Sequence, residues 1–454
     1  MTPTAKRRLN SAVCGHVKWK VLVVLSLFVL VCLLLNLRST SRIFGKLWRK
    51  QRLNVTVESS RCLLQTEILQ PIPNGNALVV SAYLDSRLEP GSVRILAIVK
   101  RAPPLELHCY FACRNGLFVV ASPAEVNLFH DHFGFPWAAA HILCSLHGGP
   151  CLKPDKVALV SSERSDGQCF VANIQNAARP QPELNSFTHN FGVCISTLFG
   201  GYNNVLQFTQ AMEMYRLLGA GRVTIYNSSC GPELDRVLAH YTATGLVEVI
   251  PWPIDRYLTP STGWTYPTHP GDVHYYGQIA ALNDCLYRHM YDTRYLVMND
   301  VDEIIIPVGC ASWACLMMHL NRIYDAAVYR FNNHVFPYTA VDDFGSVFDR
   351  WKGIPGRNIL TQVRREPNPI FAFNPTKMIL NPRQVVETSV HYVVFTFGKR
   401  ALVSSSLAKL HHYRSPERPN IDKRDLIIDP VMWKYKAVLV SNVNSVLHKV
   451  GLLR

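Results

Sequence analysis

Hydrophobic patterning divides the chain into three parts. Near the N-terminus one apolar run, Val21 to Leu35, is broken only by Ser26 and extends to Leu37. As a helix it would span about 25 Å, the short end of the range for crossing a bilayer. Between residues 60 and 185 the runs are short and rich in β-branched residues. Ala77 to Tyr83, Val93 to Val99, Leu117 to Val120 and Val157 to Val160 are separated by Pro, Gly and Asn. They predict strands in a β-rich unit.

From about residue 190 two periods alternate. Phe191 to Ser196 reads as a buried strand. Val205 to Leu218 has helical spacing and stops at Gly219. Val223 to Tyr226 is a second strand, Pro232 to about Thr244 a second helix ended by Gly245, and Val247 to Ile250 a third strand. This alternation predicts a parallel sheet with helices on both faces. Residues 251–272, rich in Pro, Thr and Gly, read as a loop. An amphipathic helix follows from Ile279 to Tyr291, then a strand, Tyr295 to Met298. Ligands of such sheets bind beyond the carboxyl ends of the strands. The loops after 196, 226 and 250 are therefore expected to face the active site.

Charge and cysteines place these units. A net charge of +15 would suggest nucleic acid, but residues 1–52 hold eleven Lys or Arg and no acid. The rest holds 36 basic against 32 acidic side chains. The basic tail flanks the apolar run and suits an anionic membrane surface. We read residues 1–20 as a tail, 21–37 as a signal anchor, 38–59 as a stem and 60–185 as a β-rich accessory domain. A cleaved signal peptide is the alternative to an anchor. Lys and Arg flank the run on both sides, so charge alone does not orient it. The sequons at Asn54 and Asn227 favour a lumenal body. So do thirteen cysteines without a Cys-x-x-Cys pair, which read as disulfides with at least one thiol left over.

The candidate chemistry is Asp300-Val301-Asp302, the single Asp-x-Asp of the chain. It follows directly on the strand that ends at Met298-Asn299. Residues i and i+2 of an extended chain point the same way, so both carboxylates would converge at the ligand edge. Crowded like charges are costly unless a cation neutralises them. A hard divalent ion, Mn²⁺ or Mg²⁺, fits oxygen ligands and would stabilise a departing diphosphate. By itself the motif is weak. Asp131, between His130 and His132, reads as a polar loop.

Several segments in order resemble glycosyltransferase family 92. They are Val193-Cys194-Ile195-Ser196, Glu213 to Ala220, Tyr276-Gly277-Gln278, Asn283 to Tyr287, Asp300 to Glu303, Thr376 to Ile379, His391, and His411-His412-Tyr413-Arg414. The resemblance covers roughly residues 75–440. It implies an α/β, GT-A-type, Rossmann-like nucleotide-sugar-binding domain over 186–440. It further implies a single-pass type II Golgi membrane protein with its catalytic domain in the lumen. The implied reaction is an inverting transfer of galactose from UDP-galactose, in β1,4 linkage, to galactose or fucose of glycoprotein N-glycans. His412 is the first candidate for a further metal ligand, with His411 and His391 behind it. Thr197 and the turn Gly200-Gly201-Tyr202-Asn203 would lie near the nucleotide, the glycines letting the backbone approach it. Gln278, Asn283 and Asp284 are candidates for sugar or ribose hydroxyls, and Lys377 and Arg414 for phosphate oxygens. An inverting transfer needs a base. Asp343 and Glu387, with Asp342 and Glu366 beside them, are the acids open to that role. Trp252, Trp264, Tyr266 and Trp351 are possible sugar platforms. Two other readings stand against the transferase: a lumenal carbohydrate-binding or assembly protein without catalysis, and a nucleotidyltransferase. The chain carries no Gly-rich triphosphate loop of the kind the latter would use.

Overall fold

The computed structural model describes residues 62–454, apart from 74, 89–90, 113–117, 147–152, 162–167, 178–185, 369–373 and 419. Of residues 118–121 it describes the backbone alone. The expected tail, anchor and stem, with Asn54, lie outside the described residues. Among those described, no helix is long and apolar enough to cross a membrane.

Two nine-stranded sheets form the body. The first holds all the strands between Cys62 and Asn173. Ala77–Asp85, Ser92–Lys100 and Lys156–Ser161 coincide with expected strands. Leu107–Ala112, Trp137–Ser145 and Cys169–Asn173 had no clear signal, because Cys, Ala and His dilute their apolar pattern. This sheet buries both faces. Ala77, Val79, Val93, Ile95 and Ala97 pack with Phe111, Ile142 and Phe170 in a core within the sheet. Their alternating neighbours Leu78, Val80, Leu96 and Ile98 face the other way, against Ile279, Leu282 and Leu286. Period-2 alternation between two apolar environments gives the unbroken hydrophobic runs.

The second sheet contains β1 (His189–Leu198), β2 (Arg222–Asn227), β3 (Val247–Pro251), β4 (Thr293–Asn299), β5 (Glu303–Pro307), β6 (Val328–Pro337), β7 (Thr376–Leu380), β8 (Arg400–Val403) and β9 (Ala408–Arg414). Their order is β3-β2-β1-β4-β7-β6-β9-β5, with β8 beside β6. β1 to β4 are mutually parallel, and β7 joins β4 antiparallel. Helices α1 (Val205–Leu218), α2 (Pro232–Ala243) and α3 (Gln278–Arg288) fall where periodicity places them. The last ends three residues early, at the cap residue His289, whose ring is held 2.7 Å from Thr224 Oγ1 in β2. Helices α4 (Trp313–Ile323) and α5 (Lys436–Lys449) complete the α-helices among the described residues. α1, α2, α4 and α5 cover one face in a single core. α3 lies on the other face, between the two sheets. The protein is therefore a mixed α/β fold in which all described residues belong to one unit, Glu58–Arg454.

Two ties fix α3. Cys194 in β1 is disulfide-bonded to Cys285. Asp284, fully buried, accepts hydrogen bonds from Ser81 Oγ, from Tyr83 Oη at 2.7 Å and from Tyr226 Oη at 2.6 Å, and pairs with Arg288 at 2.9 Å. Burial would raise its pKa. The Arg288 charge and the three hydroxyls outweigh it and hold the carboxyl below its usual value. Among the described residues, further disulfides join Cys62 to Cys169, Cys109 to Cys144 and Cys310 to Cys315. Cys230 is the free thiol among the described residues.

Replacing Asp284 with Ala removes the acceptor of three buried hydroxyls and the nearest partner of the Arg288 guanidinium. We expect a loss of about 3 kcal/mol or more of stability, read as a lowered midpoint in chemical denaturation. A midpoint equal to wild type would refute the assigned role.

Candidate active site

Strand order reverses at β1. The chain runs outward through β2 and β3, then returns to lay β4 on the other side. That switch leaves a crevice beyond the carboxyl ends of β1 and β4. A cavity of about 630 Å³ occupies it. Ile195 to Phe199 come from the end of β1, and Asp300 to Glu303 from the end of β4. Trp264 and Tyr275 come from the irregular loop, and His412 to Ser415 from β9. The loop after β1 lines the cavity as expected. The loop after β2 does not, since Tyr202 bridges to Cys230 there.

A cluster of charges closes the floor. Lys377, buried in β7, lies 2.8 Å from Asp300 Oδ2 and 3.4 Å from Glu303 Oε2. Register places it: β7 pairs with β4, and β5 pairs with β9 so that Glu303 faces His412. His412 Nδ1 is 3.4 Å from Glu303 and its Nε2 is 3.4 Å from Asp302 Oδ2. Glu303 Oε2 accepts the Asp300 backbone N–H at 2.9 Å, and Tyr215 Oη donates to the Glu303 carbonyl at 2.6 Å. Burial pushes Asp300 up, but Lys377 wins and holds it below its ordinary value. Burial dominates at Glu303 and raises it. At His412 burial would lower the pKa, but Asp302 and Glu303 overcome it and raise it.

This corrects two expectations. Asp300 is already neutralised by a lysine, so the crowding of two acids does not by itself call for a metal ion. Lys377, in turn, is committed to those acids and is not placed as a phosphate ligand. Asp302 and His412 remain as adjacent oxygen and nitrogen donors. A hard divalent ion fits that pair. The donors do not form a tight cage. Among the described residues, the one triad of donor atoms within 4.8 Å of one another is Cys310, Cys315 and His319, and its two cysteines are disulfide-bonded. His411 is fully buried on the opposite face of β9, stacked on Phe336, because neighbouring strand residues alternate.

Other expected residues separate into two groups. Thr197, Tyr202, Gln278 and Arg414 line the cavity. Thr197 Oγ1, Tyr202 Oη and Gln278 Nε2 are buried without a hydrogen-bond partner, an arrangement that is costly unless a ligand supplies one. A bulge puts Thr197 there: Ile195 pairs with Ile225 and Thr197 with Tyr226, so Ser196 is skipped. Asn283 does not reach the cavity. Its amide donates to the carbonyls of Ile279 and Thr388 and accepts from Thr388 N–H, all within 3.0 Å. Asp284 is the tie between the sheets. Gly200 is absent from the lining; its φ of +64° demands glycine, whereas a Cβ there would meet nothing within 4 Å.

The candidate bases lie elsewhere. Asp343 is exposed and accepts from Gly345 N–H. Asp342 pairs with Arg364 and Lys423, and Glu366 accepts from Glu417 N–H. Glu387 sits on a hairpin, Val385–Thr388 with Val393–Thr396, outside the lining. Trp252 and Trp351 are buried in the cores and Tyr266 is exposed, leaving Trp264 as the tryptophan at the cavity. Its ring stacks on His391 at 5.5 Å. Asn227 is half-buried at the end of β2, its amide 3.5 Å from Cys230 Sγ. Sequence reasoning missed Arg357, whose guanidinium lies 3.5 Å above the Tyr338 ring, both lining the cavity. It missed Tyr275 too, held by backbone φ of +36° and +56° at Tyr275 and Tyr276. No local pattern marks either residue.

Burial, and Asp131 after it, raises Glu387 to about 7. A carboxyl with a raised folded pKa adds stability below its unfolded value of 4.5 and loses it as pH rises through about 7. Melting temperatures of wild type and Glu387→Gln, taken from pH 4 to 8, should therefore diverge. The wild type should fall more steeply across that window; parallel curves would disprove the shift.

Known sequences resemble this chain. The family model described as glycosyltransferase family 92 matches residues 189–444. A Caenorhabditis elegans protein named beta-1,4-galactosyltransferase galt-1 is 23% identical over 75% of this chain and 74% of its own. A second protein of that organism, described as a glycosyltransferase family 92 protein, is 24% identical over 48% of this chain and 42% of its own. A solved cyclomaltodextrinase matches at 7% identity with a TM-score of 0.16 over 38% of this chain and 40% of that one, too slight a likeness to bear on the fold.

Proposed function

The chain belongs to glycosyltransferase family 92, and from that premise we propose that it is a metal-dependent, inverting galactosyltransferase of GT-A type. In this reading it transfers galactose from UDP-galactose in β1,4 linkage to galactose or fucose of N-glycans. It works in the Golgi lumen behind an N-terminal anchor. A glycosyltransferase binds a nucleotide sugar and a glycan acceptor. The observation that carries the donor side is the trio of unpartnered polar atoms, Thr197 Oγ1, Tyr202 Oη and Gln278 Nε2, in a cavity at the strand switch. The galactose and the linkage rest on the relative's name and on the family resemblance.

The roles follow from place. Thr197, Tyr202 and Gln278 hold the nucleotide end. Arg357 and Arg414, the cations lining the cavity, bind diphosphate oxygens. Asp302 and His412 would hold Mn²⁺ or Mg²⁺, which when bound supplies Lewis-acid stabilisation of the leaving diphosphate. Lys377 keeps Asp300 and Glu303 ionically satisfied, so the floor stays ordered. Trp264 and Tyr275 present aromatic faces for the apolar side of the acceptor sugar. As the acceptor oxygen bonds to the sugar carbon, the bond to UDP breaks and the hydroxyl proton passes to an acceptor in the cavity. Glu303 and His391 are the lining acid and imidazole outside the proposed metal pair that are able to take it.

With Mn²⁺ and a panel of nucleotide sugars, the full chain in detergent should turn over UDP-galactose. Activity should fall on adding EDTA. Asp302→Asn should lower kcat by about 10²–10³-fold while leaving the melting temperature within a few degrees. Binding of UDP without turnover of any donor would favour the non-catalytic carbohydrate-binding reading instead.

A further inference from the structure

A second cavity, of about 560 Å³, opens on the first sheet. Its floor is apolar, with Leu128 and Pro136, and its walls carry Lys100, Arg101, His130 and His132; no Asp or Glu lines it. The basic groups are set rather than loose. Arg101 donates to the Phe135 carbonyl at 2.9 Å. His132 Nδ1 accepts the Gly134 N–H at 3.1 Å, which leaves the ring proton on Nε2. Asp131, between the two histidines, is drawn away: its carboxylate accepts from Ser389 Oγ at 2.5 Å and from Tyr392 Oη at 2.7 Å. His130 Nδ1 lies 3.6 Å from it, yet that side chain is 88% exposed.

The same turn touches the active site. Ser389 and Tyr392 flank His391, which lines the catalytic cavity. Phe133 packs edge-on against Trp264 at 5.5 Å. Phe133 and the Asp131–Tyr392 contact thus tie the turn that carries His130 and His132 to residues beside the cavity. An apolar floor with Lys100 and Arg101 at its rim matches an acidic sugar, whose C–H face is apolar and whose carboxylate or sulfate is anionic. We propose that this groove binds an acidic sugar, carboxylated or sulfated, of the glycan whose reacting end occupies the cavity. The proposal rests on the reading above that the acceptor is a glycan. It adds that the acceptor is anionic and is held by the first sheet.

Calorimetric titration of the full chain in detergent, with no donor present, tests it. The ligands are a sulfated, a sialylated and a neutral oligosaccharide of equal length, and an acidic peptide. At least one acidic ligand should bind about tenfold tighter than the neutral one and weaken with salt; which of the two does so identifies the acid. Lys100→Glu with His130→Glu, both at exposed positions, should abolish that preference and leave UDP affinity unchanged. Equal affinities for acidic and neutral sugars would overturn the proposal, as would a preference that survives charge reversal. Tighter binding of an acidic peptide than of either acidic sugar would overturn it too. Since no turnover is measured, an inactive chain that passes these tests would sink the transferase reading alone. An active chain that fails them would sink the groove alone.

Discussion

The bridge from Lys377 to Asp300 and Glu303 is the contact on which the site depends. It joins β7 to the loop between β4 and β5, where the parallel half of the second sheet meets its mixed half. Three acids stand within four residues there, and burial opposes the charge of Asp300 and Glu303. One buried ammonium and one imidazole, from β7 and β9, offset them. Without that compensation the carboxylates would take up protons or turn outward. With it, Asp302 is free to face the cavity beside His412. The acids of the site are thus held by the protein's own cations before any ligand arrives.

A second set of contacts fixes the frame around that bridge. α3 is clamped by the Cys194–Cys285 disulfide on one side and by Asp284 on the other. Through Ser81 and Tyr83, Asp284 anchors the first sheet to the helix that begins at Gln278, a cavity residue. Gly277, at φ +66°, lets the backbone pass so close to Ile254 and Ile98 that a Cβ would fall 2.7 and 3.1 Å from their methyls. The first sheet is therefore a wall of the catalytic unit. Its groove of basic side chains gains meaning from that closeness, because the same turn carries Phe133 against Trp264.

Some of this was legible residue by residue. Val193, Ile195, Val223, Ile225 and Val297 alternate with neighbours that face α3, and that alternation marked the strands. Gly219 and Gly245 marked helix ends, with φ of +106° and +76°. Asp300 and Asp302 were legible because they follow a buried strand directly, and His412 because its segment matched a family pattern. Asn283 and Asp284 misled. Polar residues on a helix near a site look like ligands, but here their partners are Thr388, Ser81 and Tyr83, more than a hundred positions away. Lys377 misled likewise: a lysine near a diphosphate site suggests phosphate, until register sets it on Asp300.

Periodicity, end signals and the placement of Asp300-Val301-Asp302 were determined by the sequence itself, since each depends on neighbours within a few positions. The tail charge and the cysteine usage belong to the same class. Which polar side chain faces ligand and which faces core was decided by tertiary structure alone. It turns on a bulge that re-aims Thr197, on antiparallel pairing that sets His412 opposite Glu303, and on a sheet that arrives from residues 62–173 to bury Asp284. Such pairings join residues distant in the chain, and a buried charge declares its role only through the partner that neutralises it.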